Sequence, residues 1–473
     1  MNYTQPSLFS QYENNNSNQT LSSSYLMLPS ALNGFTNTAT ETCTAESMRQ
    51  VYQFVGQLEE EAYSYICPMC GNKMHIHGNY PTTLRHLPFG SSLTCVTFNK
   101  HRYKCPICGH TNMQPVPFKA ENHSITKPLL NFVKDLLSNG LTNKLVAELS
   151  GLGENTVKSI DLQRLQELYT VDGKLIKPER RAKYIGIDEF KLHDGYRYAT
   201  VIIDMETGHI LWLRPGKKKT CVYDFIEHVG LEWMDSVEAV ACDMNSDFQE
   251  AIEEKCPHIS VVFDHFHIIK NFNDKVIGEI RKDEQRRLLA EGKENAAKSL
   301  KHSKYILTSS KATLAKKDEE GREGKVIHKG SDLFGTDTVS LGFGYLDRYD
   351  EIIKQNELLF TCDLIKEKLA EAYKLKNGAK MAEEIIEIID ICTATNNKHM
   401  LWFARLLDHH FEGIVAHADY AISSGKVEGV NNKIKTLRRQ GYGYPDDEYF
   451  FLKLFDISRK AYIRNQKSHK LCD

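Results

Sequence analysis

Three short apolar runs, each reaching an aspartate, set the strongest limit on how this chain can fold: YIGIDEF at 184–190, VEAVACD at 237–243 and HISVVFDHFH at 258–267. Runs of this length, rich in β-branched and aromatic residues, read as buried strands. The first is followed by a hairpin signal, HDG at 193–195, then by YRYATVII (196–203), a METG turn and HILWLRPG (209–216), so three antiparallel strands open a sheet at Tyr184. CVYDFIEHV (221–229) has helical spacing and leads into the second run. Strand, helix, strand implies a right-handed crossover between parallel strands, whose C-terminal ends share one edge. The spacing therefore predicts an α/β sheet with Asp188, Asp243 and Asp264 on a single rim, the edge where ligands bind in such folds.

With 60 Lys and Arg against 62 Asp and Glu, any surface for a polyanion must be local. No run nears the roughly 20 apolar residues of a membrane span, and the N-terminus lacks the basic-then-apolar order of a signal peptide, so a soluble, intracellular protein is expected. Residues 1–45, rich in Asn, Ser, Thr and Gln, read as a disordered tail. Met48, Val51, Phe54, Val55 and Leu58 then have helical spacing and predict one short helix within 45–65.

Cys67 and Cys70 (CPMC) and Cys105 and Cys108 (CPIC), each pair followed by a glycine, match a four-cysteine zinc ribbon in a domain over 46–115. Two such pairs of thiolates can close a tetrahedron about Zn²⁺, whereas the reducing cell interior disfavours disulfides. His75, His77 and Cys95 are candidate substitute ligands, and Arg85, His86, Lys100, His101, Arg102 and Lys104 give the ribbon a basic face.

From Thr126 the apolar spacing turns helical, with Pro128 in a first turn that tolerates it. Over 141–160, Leu145, Val146 and Leu149 are expected to face a core on one helix, Gly151 to make a tight turn, and Thr156, Val157 and Ile160 to begin another. This is a helix-turn-helix signature in a domain over 120–172, offering Glu154, Asn155 and Lys158 to a DNA groove. A Lys- and Arg-rich linker (174–183) enters the sheet. Beyond Asp264 a large all-helical insertion is expected over about 275–422, with a mobile Lys/Glu/Gly-rich loop at 311–331. A last helix follows 424–425 and carries Glu428, Asn431, Asn432 and Lys435 along one side, with Lys433, Arg438 and Arg439 nearby.

GIDEF, YATVIID, the CDM and DHFH strand ends and VEGVNNKIKTLRRQGYGY together resemble the insertion-sequence transposases of the ISL-three group, over roughly 65–464. That resemblance implies an RNase H-like catalytic domain at 180–464. It also implies cleavage of double-stranded DNA at terminal inverted repeats and strand transfer into target DNA, by a D, D, E triad with two Mg²⁺ or Mn²⁺ ions beside the structural Zn²⁺. The family's first Asp falls on Asp188 and its Glu on Glu428. For the middle acid, Ser246 and Gln249 predict a capping box that leaves Asp243 free, while Asp264, with His267, is the alternative or an accessory site. Lys435 is expected to contact the phosphate near the cut, and Lys433, Arg438 and Arg439 the flanking backbone. A homodimer or larger assembly in the cytoplasm, at the nucleoid, is implied. The alternative is a DNA-binding regulator or a domesticated nuclease derived from a transposase.

Overall fold

The computed structural model describes residues 19–21, 28, 31–45, 49–59, 65–195, 197–244, 246–328, 338–340, 342–420, 422, 425–441 and 444–460; of residues 19–21, 326–328 and 338–340, and of Ser246 and Glu428, it describes the backbone and not the side chain. The chain divides into two compact units, Met1–Ile176 with Arg438–Ile457, and Lys177–Leu437 with Ser458–Asp473.

The first unit opens with a sheet of β1 (Gln19–Leu21), β2 (Phe35–Thr44), β3 (Gln50–Leu58), β4 (His75–Phe89), β5 (Ser92–Lys104) and β6 (Thr111–Met113), in the order β1-β2-β3-β5-β4 with β6 on β5. Two expectations are corrected here. The supposed tail contains β2, whose Phe35 packs edge-on against Phe98 and Phe118; residues 1–18 lie outside the described part. The supposed helix within 45–65 is β3, a central strand paired with β2 and β5. Val51 packs with Leu93 and Cys95, while Phe54 packs with Leu84 and Val96 in a separate cluster. A strand covered on both faces loses its alternation, and the spacing then mimics a helix.

Three helices follow, α1 (Lys127–Ser138), α2 (Asn143–Ser150) and α3 (Glu154–Tyr169), around Leu129, Val133, Leu137, Val146, Val157 and Ile160. Thr126 and Thr142 cap α1 and α2 by accepting from Leu129 N and Leu145 N. Gly151 makes the turn at φ +70°, where a side chain would be strained. Against expectation Leu145 and Leu149 are exposed, at 42% and 41%, and Val146, Ala147 and Ser150 point inward. A small hairpin, β7 (Thr170–Val171) and β8 (Lys174–Leu175), ends this part.

The second unit is built on a mixed sheet of β9 (Tyr184–His193), β10 (Arg197–Asp204), β11 (Ile210–Pro215), β12 (Ala239–Cys242) and β13 (Ser260–Phe263), in the order β11-β10-β9-β12-β13. The first three are antiparallel; β12 and β13 run parallel to β9. Between β11 and β13 lie α4 (Thr220–Val229), α5 (Leu231–Met234) and α6 (Ser246–Lys255). Ile185, Ile187 and Ile202 share a core with Val222 and Phe225 of α4 and Phe248 and Ile252 of α6.

After β13 come α7 (His265–Asn271), a π-helical turn (Phe272–Ile277), α8 (Gly278–Ala290), α9 (Glu294–Leu300), α10 (Lys304–Thr308) and α11 (Lys311–Arg322). A short hairpin, β14 (Val326–His328) with β15 (Thr338–Ser340), precedes α12 (Tyr345–Gln355), α13 (Glu357–Ala372), α14 (Gly378–Ala394), α15 (Lys398–His409) and α16 (Phe411–Val415). The loop expected from residue 311 is therefore helical over α11: Ser310 caps it through Thr313 N, and Leu314 is fully buried. Among the described residues no helix is long and apolar enough to cross a membrane.

The last elements among the described residues are α17 (Gly425–Gln440) and α18 (Asp447–Arg459). Residues 438–457, which the sequence reading placed within 180–464, group with the first unit, where α18 meets α3 in a buried ionic cluster. Asp161, fully buried, accepts from Tyr449 Oη and Lys453 Nζ, both at 2.7 Å, and from Arg164 at 2.8 Å. Arg164 also reaches Asp456 at 3.0 Å. Removing one member strands the others, so Asp161→Ala is expected to destabilise the first unit by about 3–5 kcal/mol. Urea denaturation of variant and parent measures it; a loss below about 1 kcal/mol, the range of an exposed pair, would contradict this account.

Candidate active site

Register brings the three strand-end aspartates level. Cys242 pairs with Ile187 on one side and with Phe263 on the other, so Asp243 follows directly beside Asp188 and Asp264. Level residues of paired strands share a face, and neighbouring strands lie about 4.8 Å apart. Along β9 the odd positions Ile185 and Ile187 enter the core, while Gly186 and Asp188 face the other way.

That other face receives α17. A Cβ on Gly186 would lie 2.6 Å from Met205 Sδ and 2.8 Å from Val427 Cγ2, so glycine permits the close approach. One helical turn beyond Val427, Asn431 Nδ2 donates to Asp188 Oδ2 at 2.5 Å, and Glu189 N donates to Asp188 Oδ1 at 2.7 Å. The 427/431 stripe of the helix thus lies on the 186/188 stripe of the strand. Residue 428 sits one turn before Asn431 on the same helix. Gly186→Ala is expected to cost about 1–3 kcal/mol by overpacking against Met205 and Val427, and Val427→Ala in the same chain to return part of it, the Met205 contact remaining. Thermal melts of both variants decide; a double variant no better than the single would show that the contact is not what requires glycine.

Burial raises the pKa of the Asp188 carboxyl above the usual range, with the charge of Asp243 adding to the effect. The hydrogen bond to Asp264 raises that of His267, whose Nδ1 stands 3.2 Å from Asp264 Oδ2 and 3.7 Å from Asp243 Oδ1. The two aspartates differ in availability. Asp264 caps α7, accepting from Phe266 N at 3.1 Å, and its side chain is 8% exposed, whereas that of Asp243 is 43% exposed. His265, beside Asp264, packs against Tyr373 and His417.

Other acids have different roles. Asp204 turns back on its own hairpin, accepting from Glu206 N at 2.7 Å. Glu189 is on the opposite face of β9 from Asp188; burial raises its pKa, and its Oε2 has no partner among the described residues. Ser246 starts α6, and Gln249 donates forward to Glu253 at 2.7 Å; the Ser246 half of the expected capping box lies outside the described side chains.

Among the described residues no lysine or arginine pairs with Asp188 or Asp243. Among the described residues, Asn431 Oδ1 is buried there without a hydrogen-bond partner. Carboxylates plus a neutral amide oxygen are the donors a hard divalent cation takes, so these side chains fit such an ion.

The expected cations of α17 are spread out. Lys435 is exposed and lies two turns after residue 428; Lys433 is half-buried and its charge acts on His209. Arg438 and Arg439 fall in the first unit. There, Glu154 and Asn155 are exposed at the start of α3, but Lys158 is held by Asp446 at 3.0 Å.

The cysteines converge fully. Sγ atoms of Cys67, Cys70, Cys105 and Cys108 all lie within 4.8 Å of one another, close to the edge of about 3.8 Å that a tetrahedron with Zn–S near 2.3 Å requires. Each pair forms the same tight knuckle, with Gly71 N donating to Cys67 O at 2.9 Å and Gly109 N to Cys105 O at 3.1 Å. Donation from Asn72 lowers the Cys70 thiol pKa to about 6. Of the candidate substitutes, Cys95 is in the core, where burial pushes its pKa up to about 12, and His75 and His77 stand outside the four-sulfur group. His86 is not on the basic face: it is buried, with Nδ1 2.9 Å from Thr126 Oγ1.

The sequence places Asn431 on this helix but does not show that it meets Asp188, nor that Gly186 is where the helix comes closest. A glycine two residues before an acid in a β-branched strand was the available signal.

The ISL3 transposase family model, described as a transposase, matches residues 185–454, and the model for the zinc-finger of transposase IS204/IS1001/IS1096/IS1165 matches residues 65–108. The transposase for insertion sequence element IS1001 from Bordetella parapertussis is 26% identical over 399 residues, 84% of this chain and 89% of its own. The transposase for insertion sequence element IS1557 from Mycobacterium tuberculosis is 23% identical over 391 residues, 80% of this chain and 82% of its own.

Proposed function

Because this chain belongs to the ISL3 family of transposases, we propose that it binds the inverted-repeat ends of its insertion sequence and carries out metal-dependent DNA cleavage and strand transfer. The catalytic acids in this reading are Asp188, Asp243 and Glu428, on an RNase H-like sheet. The observation that carries it is the level placement of Asp188 and Asp243 on adjacent parallel strands, with the helix that contains Glu428 bonded to Asp188 through Asn431.

Two carboxylates brought to about 4 Å repel by roughly 4 kcal/mol at an effective dielectric of 20, so convergence of such groups favours cations. When bound, a pair of Mg²⁺ or Mn²⁺ ions supplies charge at both the attacking and the leaving oxygen of the phosphodiester. Asp188 is fixed on both oxygens, by Glu189 N and Asn431 Nδ2, so its remaining lone pairs point in set directions. Asp243, more exposed than Asp264, is free to act as the middle acid. Asp264 and His267 form an accessory wall that orients Asp243. Lys435, on the side of α17 that carries residue 428, is placed to hold the phosphate near the cut.

Recognition of the ends falls to the first unit. We read α2, the Gly151 turn and α3 as a helix-turn-helix, with Glu154 and Asn155 offered to the groove. Lys158 must exchange Asp446 for a phosphate to join them. Holding two ends at once requires at least two copies of the chain.

Incubating the purified protein with a plasmid that carries the DNA flanking its gene tests the function. Cuts at the element ends that need Mg²⁺ or Mn²⁺ are the expected result. Binding to those ends with no cutting under either metal would favour a regulator instead.

A further inference from the structure

From residue 62 to residue 120 the chain contains no Asp or Glu, although 62 of its 473 residues are acidic, and Lys73, Arg85, Lys100, Arg102, Lys104 and Lys119 all fall in this span. The outer half of the β4–β5 hairpin organises part of that charge. His75 pairs with Lys104, Gly78 with Arg102 and Tyr80 with Lys100, and the register shift between Ile76 and Gly78 takes up the extra residue on β4, leaving β5 regular. Alternate residues of a regular strand share a face, so Lys100, Arg102 and Lys104 form one stripe flanked by His75 and Tyr80.

The opposite face is tied down: Tyr103 is buried and stacks on Tyr65 with ring centroids 3.8 Å apart. Along the stripe, Lys104 is exposed, Lys100 and Arg102 are half-exposed and Tyr80 is 43% exposed. Arg102 donates to Thr111 Oγ1 at 3.3 Å, and no carboxylate pairs with any of the three cations among the described residues. A sheet segment in which β4 and β6 flank β5 at Arg102 and Lys104, with cations along one face and no carboxylate among their described partners, complements a polyanion in charge.

We propose that Lys100, Arg102 and Lys104 form a phosphate-tracking stripe that lies along the backbone of duplex DNA and supplies sequence-independent affinity. This deepens the end-binding role given to the first unit and rests on it. The test is fluorescence anisotropy with the full-length, zinc-loaded protein across a KCl series. One probe is a duplex from the DNA flanking its gene; the other is an unrelated duplex of equal length. Each phosphate contact contributes about 0.9 to the slope of log affinity against log salt. Lys100→Gln/Arg102→Gln/Lys104→Gln is therefore expected to lose roughly 2 to 3 from the slope on both probes. Preference for the flanking duplex should stay unchanged. Each single Gln variant should lose about 0.9, which keeps the test open if the triple variant folds poorly, and Lys100→Arg/Lys104→Arg should keep the full slope. A wild type that binds both probes, with Gln variants of unchanged slope, overturns the stripe alone. A wild type that binds neither probe overturns the stripe together with the end-binding reading.

Discussion

Asp188→Asn is expected to lower metal-dependent DNA cleavage by about 10³-fold, which corresponds to roughly 4 kcal/mol of transition-state stabilisation, while duplex binding stays close to that of the parent. The neutral amide keeps the shape and can still meet Asn431, so the loss should not come from unfolding. Stability provides an independent readout. The Asp188 pKa is raised in the fold by burial, so its contribution is full below the unfolded value near 3.9 and is lost as pH rises through the higher folded value. His267, raised by its hydrogen bond to Asp264, has the same sign: its contribution is full below about 6.5 and is lost above, through its folded value. The metal-free protein should therefore melt at falling temperature as pH climbs from mildly acidic to mildly alkaline. Saturating Mg²⁺ or Mn²⁺ should oppose that fall, adding about 2.7 kcal/mol at a hundredfold excess over its dissociation constant. Asp188→Asn should lose most of the metal-induced shift in melting temperature. A variant that cuts at the parental rate, or that keeps the whole metal-induced shift, would remove Asp188 from the centre.

The other large effect is expected at the ribbon. Structural zinc in small four-ligand sites is worth about 10–16 kcal/mol, and here its ligands join the Cys67 and Cys105 knuckles, which otherwise meet through the strand ladder and a small cluster of Tyr65, Met74 and Tyr103. Cys67→Ser should abolish stoichiometric zinc, weaken binding to duplex carrying the element ends by about 100-fold or more, and leave the melting of the β9–β13 sheet unchanged. Cys95→Ser, in the core away from the four sulfurs, should retain one zinc per chain. Zinc analysis, duplex titration and thermal melts separate these outcomes. Retained zinc with parental binding in Cys67→Ser would show that the four cysteines are not the site; equal loss of ribbon and sheet would show that the two units do not fold independently.

Where sequence was legible, the reason is local. The second-unit strands announce themselves by β-branched runs between turn signals, and their order, through helical crossovers, places Asp188, Asp243 and Asp264 on one rim. The four cysteines were legible because ligand spacing is a local geometric requirement. What failed depended on tertiary neighbours. Val51 and Phe54 look helical in one dimension because β3 is covered on both faces. Leu145 and Leu149 look like core, yet Val146 and Ala147 turn inward. The charged α11 looked like a loop because Leu314 is the one apolar side chain among its buried residues, with Asp318 and Gly321 beside it, and that is a weak pattern. Nothing near Asp161 could announce that it meets Tyr449 and Lys453 almost 300 residues away.

Cleavage of the flanking-DNA plasmid by wild type, Asp243→Asn, Asp264→Asn and Glu428→Gln, side by side in Mg²⁺ and in Mn²⁺, tests the central assignment most directly. The account predicts cuts at the element ends by wild type, none by Asp243→Asn or Glu428→Gln although both still bind the ends, and reduced but measurable cutting by Asp264→Asn. Full loss in Asp264→Asn with cutting retained in Asp243→Asn would move the middle acid one strand outward and contradict it.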